Sequence, residues 1–322
     1  MTVIRDIKPI KKGEAVMPQG NIVALSTPFC LGKGSNPKKY VDYPSLKRLI
    51  DHVIDGEADG VVPCGTTGES PTLNRSEHLT MIRHTIDFVN GRIPVYAGTG
   101  SNSTDEAVEL SIEAVKLGVN GLLVVTPYYN KPTHAGLVHY YSRIRLAIDD
   151  ATDAGITLPI ILYDIPGRTG IKTGAETIAM LANSEIIQAL KWASGDFNQL
   201  MSVYQSCSQN RFSILSGDDN LTLPAITLGA KGVISVASNI IPKAISNIVT
   251  QSRHGLPLSR SFHYQALDLM KVLFCETNPL PVKYALWRMG IFNECIYRSP
   301  MVEMEPKNKE MVYSVLEQYH LV

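Results

Sequence analysis

Eight short apolar runs limit what this chain can fold into. They lie at 21–29, 60–67, 94–100, 121–129, 159–166, 186–194, 212–219 and 232–239. Each is near-continuous in Val, Ile, Leu and Ala, without alternation, as in parallel strands buried on both faces. The segments between them carry helix signals. Leu79, Ile82, Ile86 and Val89 keep a three-to-four spacing after Ser76. Ser103 and Glu106 form a capping-box pair, Val108, Ile112 and Val115 make an apolar stripe, and Gly118 supplies a stop. Alternating strands and helices call for a parallel sheet, and eight of them match a (β/α)₈ TIM barrel. An open doubly wound sheet is the alternative. The expected division is an N-terminal arm at 1–20, the barrel at 21–242 and a C-terminal helical extension at 243–322.

Composition removes several functional classes. Hydrophobic residues make up 44% and charged residues 19%, which excludes a disordered or fibrous chain. Thirty basic residues balance thirty acidic ones, so no nucleic-acid partner is expected. No run approaches eighteen apolar residues, and the opening sixteen lack the apolar core of a signal peptide. A membrane partner is therefore not expected. The five cysteines are scattered and never spaced CxxC. That argues against a disulfide framework or zinc site and suits a reducing cytoplasm.

Barrel enzymes place their chemistry at the carboxyl ends of the strands. Lys191 lies inside an apolar run, where an ammonium loses hydration, and a neutral amine there can form a Schiff base with a carbonyl. The competing reading is a lysine whose head snorkels to water. Tyr163 ends another strand and could carry protons, or could be a core aromatic. Arg168, in a Gly-flanked turn, could clamp a carboxylate or make a surface ion pair. GTTGES at 65–70 offers backbone N–H groups and hydroxyls to a small anion, although such residues also simply form loops. It lacks the lysine of a phosphate loop. Of the neighbours Tyr128 and Tyr129, at most one faces the barrel mouth. GTGSNS at 98–103 does not match a dinucleotide fingerprint, and Asp218–Asp219 suit a loop cap better than a metal site. No metal is expected.

Taken together, GTTGES at 65–70, TPYYN at 126–130, YDIPGRTG at 163–170, Lys191 in ALKWASGD, SGDD at 216–219 and GVISVASN at 232–239 resemble the dihydrodipicolinate synthase family. That family belongs to the pyruvate-dependent class I aldolases, with N-acetylneuraminate lyase. The resemblance runs from about residue 21 to about 300. It implies condensation of pyruvate with L-aspartate-4-semialdehyde, with no cofactor beyond a covalent imine on Lys191. Tyr163 would transfer protons, and Thr66 and Tyr129 would complete its hydroxyl relay. Tyr129 would act across a tight homodimer, itself paired into a homotetramer. Thr67 would hold the pyruvate carboxylate and Arg168 that of the aldehyde. Gly217 and Ile234 would line the pocket through their carbonyls. The other readings are an aldolase for a sialic acid or 2-keto-3-deoxy sugar acid, and a non-catalytic relative.

Some positions depart from the family pattern. Trp192 stands where an acidic residue is usual, and Asp164 where Asn is common. Ser70, His78, Asn102, Glu106 and Tyr128 match a lysine-effector cleft of the family, but Pro71 and Arg75 do not match its sensitive form. An arginine beside a cationic ligand opposes its binding. The resemblance therefore implies weak inhibition by lysine, or none.

Overall fold

The computed structural model describes residues 10–33, 38–152 and 156–322, so the first nine residues of the arm lie outside the described ones. Eight parallel strands form the sheet: β1 (Gly20–Ala24), β2 (Gly60–Val62), β3 (Tyr96–Gly98), β4 (Gly121–Val125), β5 (Ile160–Asp164), β6 (Ala189–Trp192), β7 (Ser213–Ser216) and β8 (Gly232–Ser235). Their order runs β2-β1-β8-β7-β6-β5-β4-β3. A parallel bridge between Val61 and Val95 and a bond from Gly98 N to Pro63 O (3.0 Å) close β3 onto β2. The sheet is thus a barrel, not an open sheet.

Helices α1 (Tyr43–Asp55), α2 (Arg75–Val89), α3 (Thr104–Leu117), α4 (His134–Ala151), α5 (Ala175–Asn183), α6 (Phe197–Ser206), α7 (Thr222–Thr227) and α8 (Pro242–Ser252) follow the eight strands in turn. Buried residues split by strand face. Ile22, Ala24, Val62, Tyr96, Leu123, Ile161, Ala189, Leu215 and Ile234 fill the interior. Their neighbours on the strands, among them Val23, Val61, Val124, Leu162, Leu190 and Ile214, pack under the helices. Burial on both faces explains why no polar alternation shows in the sequence.

Two helix starts differ from the sequence expectation. The cap of α2 lies two residues before Ser76: Asn74 and Glu77 form its reciprocal capping box. At α3, Ser103 caps the Glu106 N–H, but the Glu106 carboxylate turns instead to the Ser101 hydroxyl, so only half of the box forms. The buried face of α3 is Ala107, Leu110, Ser111, Ala114 and Val115, rotated from the expected Val108–Ile112–Val115 stripe. Small residues there let α3 approach the barrel closely. Gly118, at φ +91°, ends the helix as expected.

The expected boundary at 242/243 falls after the first residue of α8. α8 packs on β1, and Asn21 Nδ2 donates to Pro242 O and Ser246 Oγ. Beyond it come α9 (Leu256–Val272), α10 (Leu280–Arg288) and α11 (Pro306–Gln318). At the opposite end, residues 10–19 cross the barrel floor. Asn120 Nδ2 donates to Lys11 O and Glu14 O, and the Tyr96 hydroxyl inside the barrel donates to Val16 O at 3.1 Å.

Candidate active site

The barrel places the expected residues at the carboxyl ends of its strands. In register, Tyr163 on β5 pairs with Lys191 on β6, and Asp164 with Trp192. Side chains alternate along a strand, so the first pair faces inward and the second outward. Lys191 and Tyr163 are only 4% and 5% exposed, and the Lys191 Nζ sits 4.0 Å from the Tyr163 ring centroid. The amine therefore meets an aromatic face above a layer of Leu123, Ile161, Ala189 and Leu215. A carbonyl carbon entering the mouth meets the amine with the phenol beside it.

The outward pair accounts for the two departures from the family pattern. Trp192 is fully buried outside the barrel and packs against Phe197 of α6, ring centroids 5.1 Å apart and planes tilted by 49°. Asp164 is fully buried as well. Its Oδ1 accepts from Thr173 N (2.9 Å) and its Oδ2 from Gln199 Nε2 (2.9 Å). Burial pushes this carboxyl above the usual range. Neither side chain enters the pocket. Both fasten the loops that follow β5 and β6.

Thr66 and Thr67 follow β2. Thr67 is 2% exposed, and its Oγ1 accepts from Asn278 Nδ2 at 3.1 Å. Arg168, just past β5, is exposed, and its Nη2 donates to Asn278 O at 3.0 Å. Gly217 follows β7, and its N–H donates to Trp192 O at 2.6 Å. A Cβ at position 217 would lie 2.6 Å from the Ala193 Cβ, so the close approach of β7 to the end of β6 requires glycine. Ile234 is buried within β8. Of the two carboxylates in SGDD, Asp219 is a loop clamp, accepting from Val236 N, Ala237 N and the Ser235 hydroxyl. Asp218 is raised by burial and opposed by the positive charge of Lys191.

Tyr129 is not brought to this cluster. It is 88% exposed, at φ +73° in a three-residue turn closed by Asn130 N and Tyr128 O (3.0 Å). Among the described residues no hydrogen bond joins Thr66 or Tyr129 to Tyr163. The effector-cleft residues lie farther out. Asn102 O accepts from Asn130 Nδ2, Ser70 and Tyr128 are half-buried, and His78 is buried with Nε2 2.8 Å from Gly98 O. Burial lowers the proton affinity of His78. Arg75 is held by Glu109 on α3.

A model described as the dihydrodipicolinate synthetase family matches residues 17–319. The chain belongs to that family. Dihydrodipicolinate synthetase relatives named 4-hydroxy-tetrahydrodipicolinate synthase include one from Geobacter metallireducens, 42% identical over 95% of this chain and 100% of its own. Another, from Aquifex aeolicus, is 43% identical over 95% and 99%. The crystal structure of dihydrodipicolinate synthase from Aquifex aeolicus overlays with a TM-score of 0.87 at 42% identity, covering 94% of this chain and 99% of that one. The chloride-inhibited enzyme from Acinetobacter baumannii, solved complexed with pyruvate, overlays at 0.85 and 37% identity, covering 94% and 99%.

Asn278 and the Glu69–Lys283 pair were not legible as site residues. Lys283 Nζ meets Glu69 Oε1 at 2.5 Å with both side chains essentially buried, and it lies 4.1 Å from the Phe29 ring. Burial brings the Lys283 ammonium down to about 8, against the pull of Glu69. Among the described residues no helix is long and apolar enough to cross a membrane, and no cluster of His, Cys, Asp or Glu suits a metal.

Proposed function

We propose that this chain is a 4-hydroxy-tetrahydrodipicolinate synthase, condensing pyruvate with L-aspartate-4-semialdehyde on the route to diaminopimelate and lysine. The observation that carries the reading is the Lys191 amine 4.0 Å over the Tyr163 ring, with both residues buried at the barrel mouth. The Lys191 amine attacks the ketone carbon of pyruvate, and loss of water gives the imine. A proton leaves the methyl carbon, giving an enamine whose carbon attacks the aldehyde. Tyr163 is the near hydroxyl for these proton transfers, and Thr66 and a second subunit's Tyr129 extend the relay. Thr67 receives the pyruvate carboxylate beside the carbonyls of Gly217 and Ile234. Arg168 receives the carboxylate of the aldehyde. That cation favours a charged aldehyde over a polyhydroxylated sugar. The steps use groups of the protein itself, and the active unit is a homodimer paired into a homotetramer. A cytoplasmic location suits the five cysteines, all of them free thiols.

The deciding assay follows product from pyruvate plus aspartate semialdehyde, with sialic acid and 2-keto-3-deoxy sugar acids as controls. Borohydride with pyruvate should fix a three-carbon adduct on Lys191. Turnover of the sugar acids alone, or an adduct on another lysine, refutes the reading.

A further inference from the structure

Asn278 stands between the two places where substrate carboxylates would bind. It lies between α9 and α10, beyond the last barrel strand, and is 6% exposed. Its side chain reaches Thr67 Oγ1 and its backbone carbonyl holds Arg168. Its own Oδ1 is buried with no partner among the described residues. We propose that Asn278 is a positioning residue: its amide N–H fixes the Thr67 hydroxyl so that the hydroxyl proton points at the pyruvate carboxylate, while its backbone sets Arg168 for the second substrate. The inference rests on the function proposed above.

A threonine hydroxyl has one proton and two lone pairs. When the Asn278 N–H occupies a lone pair, the proton stays free to donate to an anion. With the amide turned over, Oδ1 would take that proton, and the hydroxyl could no longer donate to a carboxylate. Pyruvate binding therefore selects the orientation that leaves Oδ1 orphaned. An orphaned buried carbonyl is unfavourable, so neighbouring structure must hold it. The Lys283–Glu69 pair pins α10, which begins two residues after Asn278, to the loop that carries Thr67. The C-terminal extension thus reaches both carboxylate positions through one residue.

The test measures the pyruvate concentration giving half-maximal inactivation by borohydride, which needs no second substrate. Asn278→Ala should raise it roughly tenfold, the loss of one hydrogen bond serving a charged group. Asn278→Asp replaces the donor by an anion and should raise it about a hundredfold. Asn278→Ser keeps a donor and should recover part of the loss. Thr67→Val should equal or exceed Asn278→Ala, and Thr67→Val/Asn278→Ala should be no worse than Thr67→Val alone, because the amide acts through the hydroxyl. The Michaelis constant for the aldehyde should stay nearly constant, since every variant keeps the backbone carbonyl. Unchanged half-saturation in Asn278→Ala overturns the proposal. So does a double variant whose loss is the product of the two single losses, as an independent packing role would give. If the unmodified enzyme is not inactivated at all, the proposed function fails instead.

Discussion

Arg168 keeps its charge available. Its hydrogen bond goes to a backbone carbonyl, and among the described residues it makes no ion pair. Losing such a cation opposite a carboxylate costs about 1.5–3 kcal/mol, or roughly one to two decades of kcat/KM. Arg168→Ala should lose that much with aspartate semialdehyde while pyruvate-dependent borohydride inactivation is unchanged. Equal efficiency with the aldehyde would return the sugar-acid reading. Arg75 is a different case. The family resemblance would put a positive charge at an effector cleft, but Arg75 and Glu109 are paired with more than half of each side chain exposed. In a water-like dielectric one charge about 6 Å away is worth only ~0.7 kcal/mol, about threefold in affinity. Arg75→His should therefore strengthen L-lysine inhibition about threefold, and Glu109→Gln should weaken it, both read from initial rates at saturating pyruvate. Half-inhibition of the unmodified enzyme at submillimolar lysine would show that the cleft tolerates the arginine.

The element that binds the extension to the barrel is α10. Lys283 is fully buried, and its charge is balanced by Glu69 and met by the ring faces of Phe29 and Tyr297. Lys283→Met leaves that carboxylate uncompensated and should cost about 3–5 kcal/mol of stability. Adding Glu69→Gln should restore most of the loss, measured as thermal midpoints of the single and double variants. A double variant as unstable as the single one would assign the loss to packing around Phe29. This pair also marks the limit of what the sequence carries. The strands were legible because apolar runs are local patterns, whereas Lys191 and Tyr163 each kept a bland reading until several motifs were matched in order to one family. Asn278 and Thr67 lie 211 positions apart, and Lys283 and Glu69 lie 214 apart. No short-range period encodes such contacts. The face of α3 was misjudged for a related reason: close packing on the barrel selects Ala107, Ser111 and Ala114 over the larger Val108 and Ile112.

At the scale of the whole molecule, a single chain does not complete the proposed relay. Tyr129 holds a non-glycine residue at φ +73°, a conformation that costs on the order of 1–3 kcal/mol, yet its ring is 88% exposed. Such strain persists where something else fixes it, and among the described residues nothing covers the ring. A second copy docked on this face would bury the tyrosine and carry its hydroxyl to the neighbouring Tyr163. Subunit mixing separates this from action within one chain. Tyr129→Phe and Lys191→Ala proteins are each expected to be nearly inactive. In a hybrid dimer, the site holding Lys191 belongs to the Tyr129→Phe chain and receives an intact Tyr129 from the other chain. The second site lacks both groups. Random exchange of equal amounts makes half of the dimers hybrid, each with one competent site, so recovery should reach about a quarter of unmodified activity. If Tyr129 served its own chain, the Lys191-bearing site would still lack the hydroxyl, and no recovery would follow verified exchange.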